Sequence, residues 1–194
     1  MEVKKENVLA AYETAREAGA DSTMKVLEAL FGKETFKPQD VTERVKTFED
    51  ACRELGMEHP FVDAYNAWIM NEEFDDQLDI IAYLKLRIIC AALNEGWEPK
   101  FTEDEVRWYP WFWLYTAQEI EDMDEQEKQE RHLISTGDYE TGFAGFACAY
   151  SNYAPSSANA SFGSRLCLKS EALAVYCGKQ FINLWADFNL VRRR

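Results

Sequence analysis

Six of the eight residues from Trp108 to Tyr115 are aromatic, and Pro110 sits among them. This run sets terms for the rest of the chain, because aromatic side chains favour strands and each demands a large surface to cover it. A strand over Val106 to Thr116 sends Tyr109, Trp111, Trp113 and Tyr115 to one face and Trp108, Phe112 and Leu114 to the other. Both faces are apolar, which leaves two readings. One is a central strand with helices on both sides. The other is a stacking platform for sugar rings or single-stranded bases, where a flat side chain contributes about 1–3 kcal/mol per stacked base. Pro110 belongs on an edge or at a bulge, and an edge strand exposes part of such a face.

Before about residue 97 the apolar residues follow helical spacing. Val8, Ala11, Tyr12 and Ala15 mark a helix over 4–18 that Gly19 stops, and a short helix follows over Ser22 to Phe31. Asp40 and Glu43 make a capping box ahead of the most regular stripe, Val41, Val45, Phe48, Cys52 and Leu55, which ends at Gly56. A short helix is expected over Phe61 to Met70, after Pro60. A long one over Asp75 to Leu93 carries Leu78, Ile81, Leu84, Ile88, Ile89 and Leu93 on a wide apolar face, which places it at the centre of its bundle.

After the aromatic run, Gly142 to Tyr150 and Phe162 to Lys169 read as a second and a third strand. Ala117 to Arg131, with Ile120 and Met123 as its main apolar residues, reads as an exposed inserted helix, and Ser151 to Ser161 as a long loop. Ser170 caps a final helix carrying Leu173, Tyr176, Cys177, Phe181, Leu184 and Phe188. The expected fold is α+β: an N-terminal helical layer, then a short antiparallel three-stranded sheet with a C-terminal helix over one face. With no internal repeat and no linker, residues 1–194 read as a single domain, helical to about 97 and β-rich from about 98.

The chain carries 35 acidic and 21 basic residues, net −14, which disfavours a protein that wraps duplexes or lies on anionic membranes. The excess is concentrated, because residues 71–79 hold five acids and no base, and Ala117 to Arg131 hold seven acids against Lys128 and Arg131. The remainder is near neutral and the last third mildly basic, so a nucleic-acid partner keeps weak support. Cys52, Cys90, Cys148, Cys167 and Cys177 are odd in number and contain no Cys-x-x-Cys pair, so neither a zinc site nor a disulfide framework is signalled. The charged start lacks the apolar stretch of an export signal, and Ile80 to Leu93, interrupted by Lys85 and Arg87, is too short to span a bilayer. A reduced, cytoplasmic setting is expected.

Five strings stand in a familiar order: Lys46-Thr47-Phe48-Glu49-Asp50-Ala51-Cys52, Ala92-Leu93-Asn94-Glu95-Gly96-Trp97, Trp108-Tyr109-Pro110-Trp111-Phe112, Ser164-Arg165-Leu166-Cys167-Leu168-Lys169-Ser170 and Tyr176-Cys177-Gly178-Lys179-Gln180-Phe181. Over about residues 41 to 190 the chain resembles a widespread uncharacterised family of small proteins from gut Bacteroidetes and their phages and mobile elements. The resemblance implies a genetic setting, in a bacterial host cytosol or a virion, and brings no activity with it. The insertion at 117–131 and the first 35 residues are peculiar to this chain.

Besides the aromatic strand, two constellations are candidates for binding. Arg165 and Lys169 on one strand face, with Lys179 on the following helix, suit an anion pocket, or else pair with the chain's own acids, each exposed pair worth at most about 1 kcal/mol. Glu119, Glu121, Asp122, Asp124 and Glu125 make an acidic surface, either a solvated helix face or an imitation of nucleic acid that occupies a basic partner. Glu72, Glu73, Asp75, Asp76 and Asp79 read as acids at the positive end of the long helix in preference to a metal site. Cys148 or Cys167 beside His59 or His132 makes a poor nucleophile–base pair, because strand cysteines in apolar company are inert. Gly142-x-x-Gly145 has no helix directly behind it and makes a poor phosphate loop. Neither a catalytic set nor a cofactor is assigned. The expected function is non-enzymatic: binding of a macromolecule, with a protein partner favoured, as an acidic decoy of a host factor. The alternatives are a virion structural or assembly component, and a small hydrolase or transferase acting on an anionic substrate.

Overall fold

A computed structural model describes residues 3–70, 77–100, 102, 104–155 and 164–193. The chain forms two compact units, residues 1–44 and 45–194. In the first, helix α1 (Lys5–Glu17) and helix α2 (Asp21–Phe31) are followed by a 3-10 turn at Lys33–Phe36 and the single turn α3 (Val41–Arg44). Gly19, at φ +64°, makes the reversal between α1 and α2. Tyr12 stacks on Phe36 at 4.2 Å and donates a 2.7 Å hydrogen bond to Glu28, while Val8, Ala15 and Val41 are buried.

The stripe that begins at Val41 does not run as one helix. It stops at Arg44 and restarts as α4 (Phe48–Leu55). The Asp50 carboxylate accepts from the backbone N–H groups of Lys46 and Thr47, and the Thr47 hydroxyl accepts from the Asp50 N–H. That second capping box opens a helix at Phe48, and it cannot coexist with helical backbone through Thr47. The Val45 and Lys46 carbonyls freed by the break accept from Tyr176 Oη and Gln180 Nε2, each at 2.8 Å. Local capping chemistry here overrides a regular apolar spacing.

Helix α5 (Pro60–Ile69) leads, through residues of which 71–76 lie outside the described set, to α6 (Leu78–Leu93). Helix α6 packs against α4 and α5 and is sealed by Ala82, Leu86, Ile88, Ile89, Cys90 and Leu93. Leu86 and Cys90, off the expected apolar face, are fully buried, and Leu78, assigned to it, is 40% exposed. A helix covered on most sides has no single stripe to read.

The sheet is three-stranded and antiparallel, in the order β1 (Val106–Tyr115), β3 (Gly145–Pro155), β2 (Ile134–Ser135). Strand β1 is on the edge, where Pro110 costs no ladder bond, and the register shifts between Trp111 and Phe112, a bulge that leaves Ala149 unmatched. The second strand of the sequence reading extends to Pro155, into the Ser/Asn-rich segment, because β3 pairs along the whole of β1. The expected third strand over Phe162 to Lys169 is not one. Residues 162 and 163 lie outside the described set, Ser164–Leu166 is a 3-10 turn, and Leu168 alone bridges β1, through bonds of 3.0 and 2.9 Å with Trp108. The third strand is Ile134–Ser135, too short for alternation to mark. Between β1 and β2 the inserted helix is two: α7 (Ala117–Asp122), capped by Thr116, and α8 (Glu125–Glu130), capped by Asp124.

The C-terminal helix is also divided, into α9 (Glu171–Gln180) and α10 (Ile182–Asn189), at Phe181. Helix α9 lies directly on β1 and β3. A Cβ at Gly178 would stand 2.5 Å from Cys148 Sγ and 2.7 Å from Pro110 Cβ, so only glycine permits this approach. Beside it the Phe112 ring stacks on Phe146 at 4.8 Å and meets Trp185, fully buried, at 5.3 Å. Phe188 reaches Tyr83 at 6.0 Å, joining α10 to α6. The unit 45–194 is thus α+β, layered as sheet, then α9 and α10, then α6. Gly178→Ala is expected to destabilise by about 1–3 kcal/mol through overpacking. Gly142→Ala, with nothing within 4 Å of the new methyl, is expected to change the unfolding free energy read from urea titration by no more than about 0.5 kcal/mol. Equal midpoints for both variants would contradict the close approach.

Candidate functional site

The helices cover one face of the sheet, that of Pro110, Phe112, Leu114, Phe146 and Cys148. The opposite face carries Tyr109, Trp111, Trp113 and Tyr115, the four residues that strand periodicity groups together, and Tyr150 joins them as the register partner of Trp111. The structure divides this row. Tyr109 and Tyr115 are buried, whereas Trp111 is 39% exposed, Trp113 50% and Tyr150 45%. Trp111 and Tyr150 lie nearly parallel, with centroids 6.0 Å apart. The spacing alone does not place Tyr150 on this face, because the bulge that brings it opposite Trp111 leaves no mark in the sequence.

Tyr115 is covered by the insertion. Arg131 donates 2.7 Å bonds to Tyr115 Oη and to Glu127, and its guanidinium lies 5.8 Å from the Tyr115 ring centre. Ile120 of α7 packs over Gly145 so closely that a Cβ there would stand 2.7 Å from Ile120 Cδ1 and 2.8 Å from Leu133 Cδ1. The insertion is therefore fixed at one end of the aromatic face by its few apolar residues, with its acids outward. Glu119, Glu121, Asp122, Asp124 and Glu125 are all exposed. Two of them have structural work as well. Glu119 accepts from Thr116 N–H and Oγ1, bonds that hold its carboxyl below the ordinary range, and Asp124 caps α8. Glu125 pairs with Lys128 at 2.8 Å, and Asp122 accepts from Gln118.

Arg165, Lys169 and Lys179 do not converge. Lys169 is paired with Glu95 at 2.7 Å, Lys179 on α9 lies within electrostatic reach of Cys148, and Arg165 is exposed at the rim of a pocket lined by neither lysine. Of the five acids at 71–79, only Asp79 falls among the described residues, where it is exposed. All five cysteines are reduced and buried. Burial pushes the Cys148 and Cys167 thiols up to about 11, which leaves them protonated and unreactive at neutral pH. His59 caps α5 through Nδ1, which accepts from Phe61 N–H, and His132 is an exposed residue at φ +52° after α8. Among the described residues no helix is long and apolar enough to cross a membrane.

The raised thiols have a counterpart in Tyr139, pushed up to about 12 by burial and by its 2.8 Å bond to Asp187. A group whose pKa is raised on folding stabilises the fold fully below its unfolded value and loses that contribution as the pH climbs through the folded one. The loss should begin near pH 9 for the thiols and near 10 for Tyr139, and end by about 12. Tm is expected to fall progressively over that interval, and Tyr139→Phe should flatten the part above pH 10. A Tm constant to pH 11 would contradict the buried placement of these groups.

No protein-family model, curated protein or solved structure matches this chain, so its functional reading rests on its own residues.

Proposed function

We propose that the protein acts by macromolecular binding, taking a basic segment of a protein partner on the outer sheet face between the exposed aromatics and the acidic insertion. The observation that carries this reading is the exposure of Trp111 and Trp113 together with Tyr150, three large rings on one open surface. A lone exposed apolar residue needs no explanation, but contiguous aromatics rimmed by charge mark an interaction site. Electrostatics chooses the partner. The platform is joined through Thr116 to a segment with seven acids and two bases, which repels a phosphate backbone and attracts lysine and arginine. Exposed indole and phenol faces suit the same partner, since a guanidinium over an aromatic ring gains about 0.5–2 kcal/mol. In the phage or mobile-element setting that the sequence resemblance implies, the partner would be a basic host factor and the cytosol the place of encounter.

The probe is a labelled arginine-rich peptide containing leucines, followed by fluorescence anisotropy. Trp111→Ala with Trp113→Ala should weaken binding at least tenfold, the scale of an interface hot spot. Glu121→Gln with Asp122→Asn and Glu125→Gln, which spares the two capping acids, should weaken it less and reduce its salt dependence. Tighter binding of a single-stranded oligonucleotide than of the peptide, or indifference to the tryptophan substitutions, would overturn the reading.

A second reading, an assembly component, is favoured by α2, which buries no residue and leaves Val26, Leu30 and Phe31 between 40% and 70% exposed. Light scattering separates the two, because self-assembly requires a mass that grows with concentration and that Leu30→Glu abolishes.

A further inference from the structure

Arg165 has a neighbour that sequence spacing gives no reason to join to it. A pocket of about 380 Å³ lies where the His59–Phe61 turn, the end of α6 and the segment after it meet, with Phe61, His59, Ala91, Trp97, Glu98 and Arg165 among its walls. That volume is within the range of small-molecule sites. One turn before Ala91 on α6 stands Arg87, whose guanidinium lies on the Phe61 ring at 3.7 Å and whose Nε is buried without an acceptor. Neither arginine forms an ion pair among the described residues, in a chain with 35 acids to 21 bases. The contrast with Lys169 is local, since four residues after Arg165 that lysine takes Glu95 as its partner. Burial and the charge of Arg165 both depress the pKa of Arg87, so the pair carries an electrostatic cost that an incoming anion would remove.

We propose that this pocket binds a phosphate monoester carried on a flat, nitrogen-bearing ring, the chemistry of a nucleoside monophosphate, with Arg165 on the phosphate, Arg87 adding positive charge from its place on the Phe61 ring, and Trp97, Phe61 and His59 along the ring. A guanidinium on the wall with a second close by suits a phosphate monoester, which carries a charge of about −1.5 to −2 at neutral pH, better than a singly charged carboxylate. Aromatic side chains on the walls supply stacking or edge contacts for a ring. Glu98, the one carboxylate among the described residues that line the pocket, supplies an acceptor for ring N–H groups and disfavours ligands that are anionic throughout. Asn94 also lines it but is committed to the fold, donating to Cys167 O at 2.9 Å and accepting from Lys169 N–H at 3.0 Å. This site is separate from the outer sheet face and does not depend on the reading given to it.

The test is calorimetric titration and thermal shift with AMP, GMP, CMP and UMP, with inorganic phosphate and the four nucleosides as controls. At least one monophosphate should bind saturably and raise Tm with concentration, more tightly than phosphate, while the nucleosides do not bind. Arg165→Gln, at an exposed position where folding is not at stake, should lower the affinity about tenfold or more. Lys169→Gln, the same charge change outside the pocket, should leave it within twofold. Trp97→Leu should weaken the monophosphates but not inorganic phosphate. The proposal is overturned if none of the four binds at about 10 mM, a standard free energy near −2.7 kcal/mol. It is equally overturned if Arg165→Gln binds as wild type, or if inorganic phosphate binds as tightly as the best monophosphate.

Discussion

The close seating of α9 on the sheet at Gly178 is the constraint from which the rest of the unit 45–194 follows. With no side chain there, the helix backbone meets Cys148 and Pro110 directly, and α10 behind it delivers Trp185 to the Phe112 ring. Phe188 carries the contact on to Tyr83 and α6, so one face of the sheet, two helices and the central helix form a continuous core. Sealing that face assigns the other to solvent or to a partner. Alternation along β1 then puts Trp111 and Trp113 where no element of the described unit covers them.

The ends of the exposed face are as informative as its middle. Toward Tyr115 Ile120, Leu133 and Arg131 close it, and toward Tyr109 the strand is buried, so among the described side chains the open surface is that of Trp111, Trp113 and Tyr150. The insertion is polar almost throughout, yet its two caps and its anchoring residues hold it in a defined place. Its acids stand beside the aromatics as a fixed charge distribution. Charge fixed in space gives orientation and on-rate to an encounter, a property that net charge alone does not confer.

Much of the architecture was legible because it depends on short-range chemistry. The helix-to-sheet change near residue 100, the Ser170 cap and the small residue at Gly178 follow from backbone and steric rules, whereas Pro110 leaves an edge strand open beside a central one. Where two local rules competed, spacing misled. The stripe from Val41 to Leu55 is regular, but the Thr47–Asp50 box cuts it, and the gain is a pair of carbonyls that bind α9. The segment around Leu166, Cys167 and Leu168 looked like a strand because it is buried, and burial alone does not specify a ladder. The candidate site was legible in outline, as four residues on one face, but not in which of the four are exposed. Nor could spacing bring Arg87 near Arg165, since nothing in their separation of 78 positions announces that their charges meet.

The claim that most needs testing is that Trp111 and Trp113 face solvent while the same strand is sealed on its other side. Hydroxyl-radical footprinting read by mass spectrometry, on dilute protein, resolves individual tryptophans. Trp111 and Trp113 should be oxidised rapidly and Trp185, with no exposed surface, should be protected. Protection of Trp111 and Trp113 to the same degree as Trp185 would contradict the open face and the binding role built on it.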